Sequence, residues 1–155
     1  MMIAEKYVVD VGCGSDGNYS FHPFLDANVF VDRDKPTRKI GNFIIADVYH
    51  LPFGNDVFET VCCSHVLEHL DNPIKAIKEL LRISKKHVIV KTPHRYSRNA
   101  KADPKHKSFF NVTWFRKTLN HLDVFYDLDV SWNKRLFFLS MPNEITIKML
   151  KRSSL

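Results

Sequence analysis

A string of residues with metal-binding and acid–base side chains, SHVLEHL at positions 64–70, contains the pattern His-x-x-Glu-His. On a helix, His65 and His69 would share a face and could bind one Zn²⁺ ion, with Glu68 beside them as a base. The flanking sequence disfavours this hypothesis, because a strand-like run ends at Cys63 and a helix-capping pair follows at 71–72. Only about two helical turns fit between them. We therefore expect no metal site in this string.

A glycine-rich segment offers a second kind of chemistry. Residues 12–17 read Gly-Cys-Gly-Ser-Asp-Gly, directly after the apolar run Tyr7–Val11, and Asp32 closes the next apolar run. Glycines let the backbone turn tightly and approach a ligand, and a carboxylate on the second strand accepts hydrogen bonds from both ribose hydroxyls of a nucleoside. The pattern predicts a ribose-containing cofactor over the ends of the first two strands.

The residues after the glycine segment separate two such cofactors. A dinucleotide requires the loop to open a helix whose N-terminus holds the pyrophosphate. Residues 18–28 contain Pro23 and lack helical periodicity, so we expect that helix to be short or absent. S-adenosylmethionine (SAM) has no pyrophosphate and does not require that helix. The segment favours SAM, and an NAD(P)-dependent oxidoreductase is the less favoured alternative.

The elements that must position these residues follow from the apolar pattern. Short continuous apolar runs predict strands of a parallel sheet that is covered on both faces. The runs are Tyr7–Val11, Val29–Val31, Phe43–Ile45, Phe58–Cys63 and His87–Val90. Helices are predicted from Pro73, capped by Asp71 or Asn72, and from about 112 to 122. The runs DVFYDLDV and RLFFLS, joined by residues 131–134, predict an antiparallel hairpin.

Composition sets the broad class. The chain has 155 residues with 45% hydrophobic, enough to bury the core of one domain over residues 1–155. No apolar run has the length of a bilayer span. The 3 cysteines include the adjacent pair Cys62 and Cys63 in a strand-like run, which we expect to be buried. An odd count without a disulfide spacing, and no signal-peptide pattern, predict a reducing, cytoplasmic setting.

Basic residues concentrate in two places. The net charge is +6, which permits a phosphate-bearing partner without requiring one. One cluster follows the fifth predicted strand, where substrate-binding loops lie in this architecture: Arg95, Arg98, Lys101, Lys105 and Lys107. Together with Tyr96 it could meet an anionic acceptor or RNA, or it could be a solvated loop. The other cluster, Lys148, Lys151 and Arg152, is read as a frayed tail.

The combined motifs resemble one family. VVDVGCGSDG, VFVDRD, ADVYHLPFGNDVFETVCCSHVLEHLDNP and AIKELLRISKKHVIVKTP look like the class I SAM-dependent methyltransferases. They are most similar to the small single-domain, type 11-like subgroup, which has Asp-x-x-x-Leu-Pro-Phe after the third strand. The resemblance implies an α/β, Rossmann-like three-layer sandwich whose mostly parallel sheet has about seven strands and an antiparallel last strand. It also implies that SHVLEHL forms the turn and short helix leaving the fourth strand.

The same resemblance assigns roles by position. Asp10, Gly12 and Gly14 would flank the methionine part of SAM, and Asp32 would hold the ribose. Asp47 and Val48 would border the adenine, and Ser64 and His65 would close the pocket. A neutral His65 near the methyl group could act as a general base for a hydroxyl or amine nucleophile; a structural role for His65 is equally open. His106 and Phe110 are expected to be scaffold residues.

We therefore expect a SAM-dependent methyltransferase acting on an O or N nucleophile of a small molecule or RNA. The alternative from another class is a binding protein with a degenerate methyltransferase fold, non-catalytic or active only with a partner. In that case a partner chain, or a second copy in a homo-oligomer, would cover the cofactor.

Overall fold

A computed structural model describes residues 7–14, 27–37, 39–135 and 139–151. Its strands are β1 Val8–Val11, β2 Val29–Asp32, β3 Phe43–Ile45, β4 Phe58–Ser64, β5 Ser84–Pro93, β6 Phe125–Arg135 and β7 Leu139–Leu150. Its helices are α1 Pro73–Ile83, α2 Arg98–Ala102 and α3 Val112–His121, with a 3₁₀ turn at Leu67–His69. The predicted short or absent helix after the glycine loop falls on residues 15–26, which lie outside the described residues.

The strands form one seven-stranded sheet in the order β3-β2-β1-β4-β5-β7-β6. Strands β1 to β5 run parallel to one another, whereas β7 is antiparallel to both β5 and β6. This arrangement confirms the predicted α/β, Rossmann-like fold with a mostly parallel sheet. Because parallel strands end at the same edge, the segments after β1, β2 and β4 meet there.

The central strands are apolar because both of their faces are covered. Val9, Val61, Val88 and Val90 have no solvent exposure, as expected for a parallel sheet. Helix α1 packs against β4 and β5 through its fully buried residues Ala76, Ile77, Leu80 and Ile83. The helix begins after Asn72, whose Oδ1 accepts a hydrogen bond from Lys75 N at 3.1 Å. This cap satisfies one of the free amides of the first turn.

The C-terminal hairpin corrects the prediction in two ways. Residues 131–134, predicted as its turn, lie within β6, and the second strand is β7 at Leu139–Leu150 rather than 135–140. The predicted frayed tail therefore contains a strand, and Lys148 lies in it, paired with Ile89 of β5. Lys151, directly after β7, is also held in place, because its Nζ contacts Asp56 and the Ser84 carbonyl oxygen.

Two further sequence predictions concern single segments. The cysteines Cys62 and Cys63 are buried in β4, as expected, and with Cys13 they are free thiols. The segment predicted as a basic loop after β5 contains α2, whose N-terminus is capped by the Ser97 hydroxyl. Among the described residues, no helix has the length and apolar character needed to cross a membrane.

Candidate active site

The carboxyl ends of β1, β2 and β4 open into a cleft of about 940 Å³. Every residue predicted to bind the cofactor lines it except Asp10, which is buried in β1. The lining residues from that prediction are Gly12, Gly14, Asp32, Asp47, Val48, Ser64 and His65. The strand order thus brings together residues that are separated along the chain.

The glycine loop is held against β2 by backbone geometry. Gly12 and Gly14 have φ angles of +79° and +81°, which side-chain-bearing residues rarely adopt. The Gly12 amide donates to the Val31 carbonyl oxygen at 2.7 Å. A Cβ at Gly12 would lie 2.1 Å from Cγ2 of Val66, so only glycine lets the turn after β4 pack this closely. The two glycines therefore shape the floor of the cleft.

Asp32 already orders the loop and keeps acceptor capacity for a ligand. Its Oδ2 accepts from the Gly14 amide at 2.7 Å and its Oδ1 from the Asp34 amide at 3.0 Å. A carboxylate oxygen can accept two hydrogen bonds, so each oxygen retains one acceptor position. This orientation suits a ligand that presents two neighbouring hydroxyls, as a ribose does.

A second side of the cleft is formed by the turn after β3. Asp47 Oδ1 accepts from the Tyr49 amide at 2.9 Å, which fixes the carboxylate in an Asx turn. Val48 is 9% exposed and presents apolar surface beside that carboxylate. A flat aromatic ring with an amino group would find an apolar contact and a hydrogen-bond acceptor at this place.

His65 lies between two carboxylates at the end of β4. Its Nδ1 is 3.2 Å from Glu68 Oε1, and its Nε2 is 2.9 Å from Glu144 Oε2. Burial alone would lower the pKa of His65, but hydrogen bonds to Glu144 and Glu68 outweigh burial and raise that pKa to about 9. At neutral pH both ring nitrogens therefore carry protons and donate. The general-base role of His65 stays a prediction, and it requires the ring to give up one of these bonds.

Glu144 joins the site from the far end of the chain. It lies on β7, its Oε1 is 3.7 Å from Lys91 Nζ on β5, and the hydrogen bond to His65 lowers its pKa against the opposing effect of burial. No local sequence pattern connects Glu144 to the SHVLEHL string. Ser64 also lies here, and its buried Oγ has no hydrogen-bond partner among the described residues.

The segment after α2 covers the outer part of the cleft. The amides of Lys107 and Ser108 donate to the Glu68 carbonyl oxygen at 2.7 and 3.0 Å, and Lys107 Nζ is 2.8 Å from Asp71 Oδ2. Of the predicted basic cluster, Lys105 and Lys107 line the cleft. Arg95 instead stacks over the Tyr96 ring at 5.2 Å. The structure therefore brings only part of the basic cluster to the site.

The opening string has the conformation of a turn. The expected turn and short helix after β4 is confirmed as the 3₁₀ turn Leu67–His69. His65 has a positive φ of 55° and points its ring into contacts with Glu68 and Glu144. His69 instead faces the ring of His106, with the centroids 4.7 Å apart. The two histidines of the string thus have separate surroundings.

A glycine turn after β1, an acidic residue at the end of β2 and a topological switch between β1 and β4 are the features of a nucleoside-binding α/β protein. Within that class, the chain belongs to the methyltransferase domain family, whose model matches residues 9–90. A curated relative, the demethylmenaquinone methyltransferase of Renibacterium salmoninarum, is 31% identical over 93 residues, which cover 54% of this chain and 38% of the relative. The chain spans 36% and 38% of the lengths of two curated relatives that it matches.

Solved structures share the fold at low sequence identity. A SAM-dependent methyltransferase from Thermotoga maritima matches with a TM-score of 0.69 and 16% identity, over 97% of this chain and 84% of that one. A complex of the Haloferax volcanii Trm112 methyltransferase activator with a methyltransferase gives 0.65 and 14%, over 94% and 81%. The magnesium protoporphyrin IX methyltransferase of Synechocystis PCC 6803 with bound SAM gives 0.59 and 15%, over 94% and 70%. These likenesses show the fold.

Proposed function

We propose that this chain binds SAM in the cleft and transfers its methyl group to an O or N nucleophile of a small molecule or RNA. The observation that carries the proposal is Asp32, which is oriented by two backbone amides at the mouth of a glycine loop with positive φ angles. Family membership and the Synechocystis neighbour with bound SAM support the same cofactor.

Each part of the cleft has a proposed role toward SAM. Asp32 accepts hydrogen bonds from the ribose hydroxyls, and Gly12 and Gly14 leave room for the methionine part beside buried Asp10. Asp47 accepts from the adenine amino group while Val48 contacts the ring. Ser64 and His65 close the inner end, and the Ser64 hydroxyl offers a hydrogen bond there.

The chemistry asks little of the protein beyond alignment. Bound SAM would supply a methyl group activated by the sulfonium sulfur, for in-line displacement by the acceptor's lone pair with cleavage of the carbon–sulfur bond and release of S-adenosylhomocysteine. The chain contributes proximity and orientation, which are the main source of acceleration in such a step. A proton released by the acceptor requires a base only when the nucleophile arrives protonated. His65 is proposed for that role above its pKa of about 9, or when an acceptor displaces one of its carboxylate partners.

Lys105 and Lys107 support an acceptor with negative charge, because both line the outer cleft. Activity that depends on a partner is the second candidate, and the Haloferax neighbour, solved with an activator protein, favours it. In that candidate a partner chain or a second copy covers the cofactor, and the isolated chain would bind it weakly.

Calorimetric titration with S-adenosylhomocysteine, the demethylated product, tests the proposal directly. We expect micromolar binding by the wild type and at least about 100-fold weaker binding by Asp32→Ala. The substitution removes the two proposed hydrogen bonds to the ribose, each hydrogen bond to a charged group contributes about 1.5–3 kcal/mol, and 1.4 kcal/mol is tenfold. Asp129→Ala removes an equal charge from an exposed position on β6 and should leave affinity unchanged. Equal binding by wild type and Asp32→Ala, or binding of NADH instead, would contradict the proposal.

A further inference from the structure

Three side chains of the outer cleft bring nitrogen and oxygen donors together. The ligand atoms of Glu68, His69 and His106 lie within 4.8 Å of one another, and all three residues line the cleft. We propose that this Glu68–His69–His106 cluster binds one divalent transition-metal ion of the Zn²⁺ class. This set differs from the His-x-x-Glu-His hypothesis, because His106 replaces His65.

The ring of His106 is prepared as a ligand. Its Nδ1 is 2.9 Å from the Ala100 carbonyl oxygen. A carbonyl oxygen only accepts, so Nδ1 carries a proton, and the neutral tautomer consistent with this bond presents its lone pair at Nε2. Metal-bound histidines are held in the same way, by a hydrogen bond from the second nitrogen to a carbonyl or carboxylate. Nε2 is also 4.0 Å from Asp103 Oδ2, which offers a further oxygen donor at the same place.

Glu68 is held from behind and keeps acceptor capacity. It is 1% exposed, its Oε2 accepts from the Thr92 hydroxyl at 3.2 Å, and its Oε1 contacts His65 Nδ1 at 3.2 Å. Each oxygen retains a second lone pair. A ligating carboxylate with its own hydrogen-bond partners is the usual outer shell of a metal site.

The segment after α2 that covers the outer cleft brings His106 into the cluster. Backbone hydrogen bonds from Lys107 and Ser108 to the Glu68 carbonyl oxygen hold His106 next to the 3₁₀ turn, where its ring meets that of His69. Zinc–ligand distances are about 2.0–2.2 Å, so the side chains must close by about 1–2 Å around an ion.

The donor set indicates which ion binds. Two imidazoles and one carboxylate suit Zn²⁺ or Co²⁺, whereas Mg²⁺ prefers oxygen ligands in octahedral geometry. Three protein ligands leave a coordination position open toward the cleft. If the proposed methyl transfer is correct, on which this step rests, that position would take an oxygen of the methyl acceptor. An acceptor bearing a hydroxyl or carboxylate oxygen fits this arrangement.

The test is a metal titration of tag-free, chelator-treated protein by calorimetry, with ZnCl₂, CoCl₂ and MgCl₂ as separate probes. We expect one Zn²⁺ or Co²⁺ per chain and far weaker Mg²⁺ binding. His106→Gln and His69→Gln should each weaken Zn²⁺ binding more than tenfold, since loss of even an outer-shell partner costs about 10–100-fold. His121→Gln, at an exposed histidine at the end of α3, is the matched control and should bind like the wild type.

Absence of Zn²⁺ binding by the wild type, or equal affinity in His106→Gln and His69→Gln, would overturn the inference. Mg²⁺ binding as tight as Zn²⁺ would overturn the assignment of the ion. Far-UV circular dichroism melts of each variant show whether it is folded, and two ligand variants guard against misfolding of one. The S-adenosylhomocysteine titration is run without metal, so a failed metal site and a failed methyltransferase give different results.

Discussion

Replacement of Gly12 by alanine should destabilise the protein by an amount that the structure defines. The φ of +79° costs an L-residue roughly 1–2 kcal/mol. The new Cβ would also lie 2.1 Å from Cγ2 of Val66, and overpacking of this kind costs about 1–3 kcal/mol. Gly12→Ala should therefore lower the free energy of unfolding by about 2–5 kcal/mol.

A double-mutant cycle separates these two contributions. In Val66→Ala the clashing methyl group is gone, and the nearest remaining atom is the Cβ of residue 66 at 3.4 Å, an ordinary contact. On its own this change should cost about 1 kcal/mol, because Val66 is half-buried and each buried methylene contributes about 0.8 kcal/mol. In the double variant the steric part should vanish and the backbone strain should remain. We expect a coupling energy of about 1–3 kcal/mol in favour of the double variant.

Urea unfolding of the four proteins, followed by circular dichroism, measures the cycle. Gly41→Ala is the matched control, since no atom lies within 4 Å of its added Cβ and its φ is not positive. It should change the free energy of unfolding by less than about 0.5 kcal/mol. If the losses of the two single variants add within about 0.5 kcal/mol, the steric reasoning is refuted. If Gly12→Ala is as stable as Gly41→Ala, the strain reasoning also fails.

Two further predictions concern α1 and are checked by the same unfolding assay. Arg82→Met should lower the free energy of unfolding at pH 7 by about 1–2 kcal/mol, because a partly exposed guanidinium loses charged hydrogen bonds to Glu79. Those bonds hold the pKa of Glu79 below its ordinary value of 4.5. Their contribution to the free energy of unfolding is therefore present above pH 4.5 and is lost as the pH falls through the lower folded pKa. If Arg82→Met lowered the free energy of unfolding equally at pH 7 and pH 3, this reasoning would be wrong. Asn72→Ala should lower the free energy of unfolding by about 1 kcal/mol through loss of the helix cap. Asp71→Ala removes only an exposed ion pair and should lower it by less. A larger loss for Asp71→Ala would assign the cap to Asp71.

The sequence predicted the parallel half of the sheet well, because an uninterrupted apolar run indicates a strand that is buried on both faces. It predicted the antiparallel half less well. Strand β7 alternates, with Ile145, Ile147 and Met149 buried and Lys148 and Leu150 exposed. That period of two is visible in the sequence, but the cluster of basic residues led to the prediction of a frayed tail. Half-covered strands are therefore found by alternation rather than by mean hydropathy.

The site also contains residues that sequence patterns indicated and residues that they did not. The candidate cofactor residues follow strand ends. The glycine pattern indicated Gly12 and Asp32, and the family resemblance implied Asp47 and His65; the four residues line one cleft in the structure. Glu144 on β7 contacts His65, and His106 lines the cleft from the segment after α2. The positions of both depend on contacts that are distant in sequence. No local sequence pattern predicts these contacts, because they form only when segments that are distant in sequence pack together in the folded protein.

His65 shows why the tertiary contacts change the chemistry that a sequence suggests. A neutral histidine after β4 would be a ready base, yet Glu68 and Glu144 raise its pKa to about 9. The same bonds connect the turn after β4 to β7 and hold a non-glycine residue at φ 55°, a conformation that costs about 1–2 kcal/mol. A protonated His65 thus fixes the inner wall of the cleft. Under the proposed function, His65 could accept a proton below a pH of about 9 only after the methyl acceptor replaced a carboxylate partner. Base catalysis at neutral pH would then depend on binding of the acceptor.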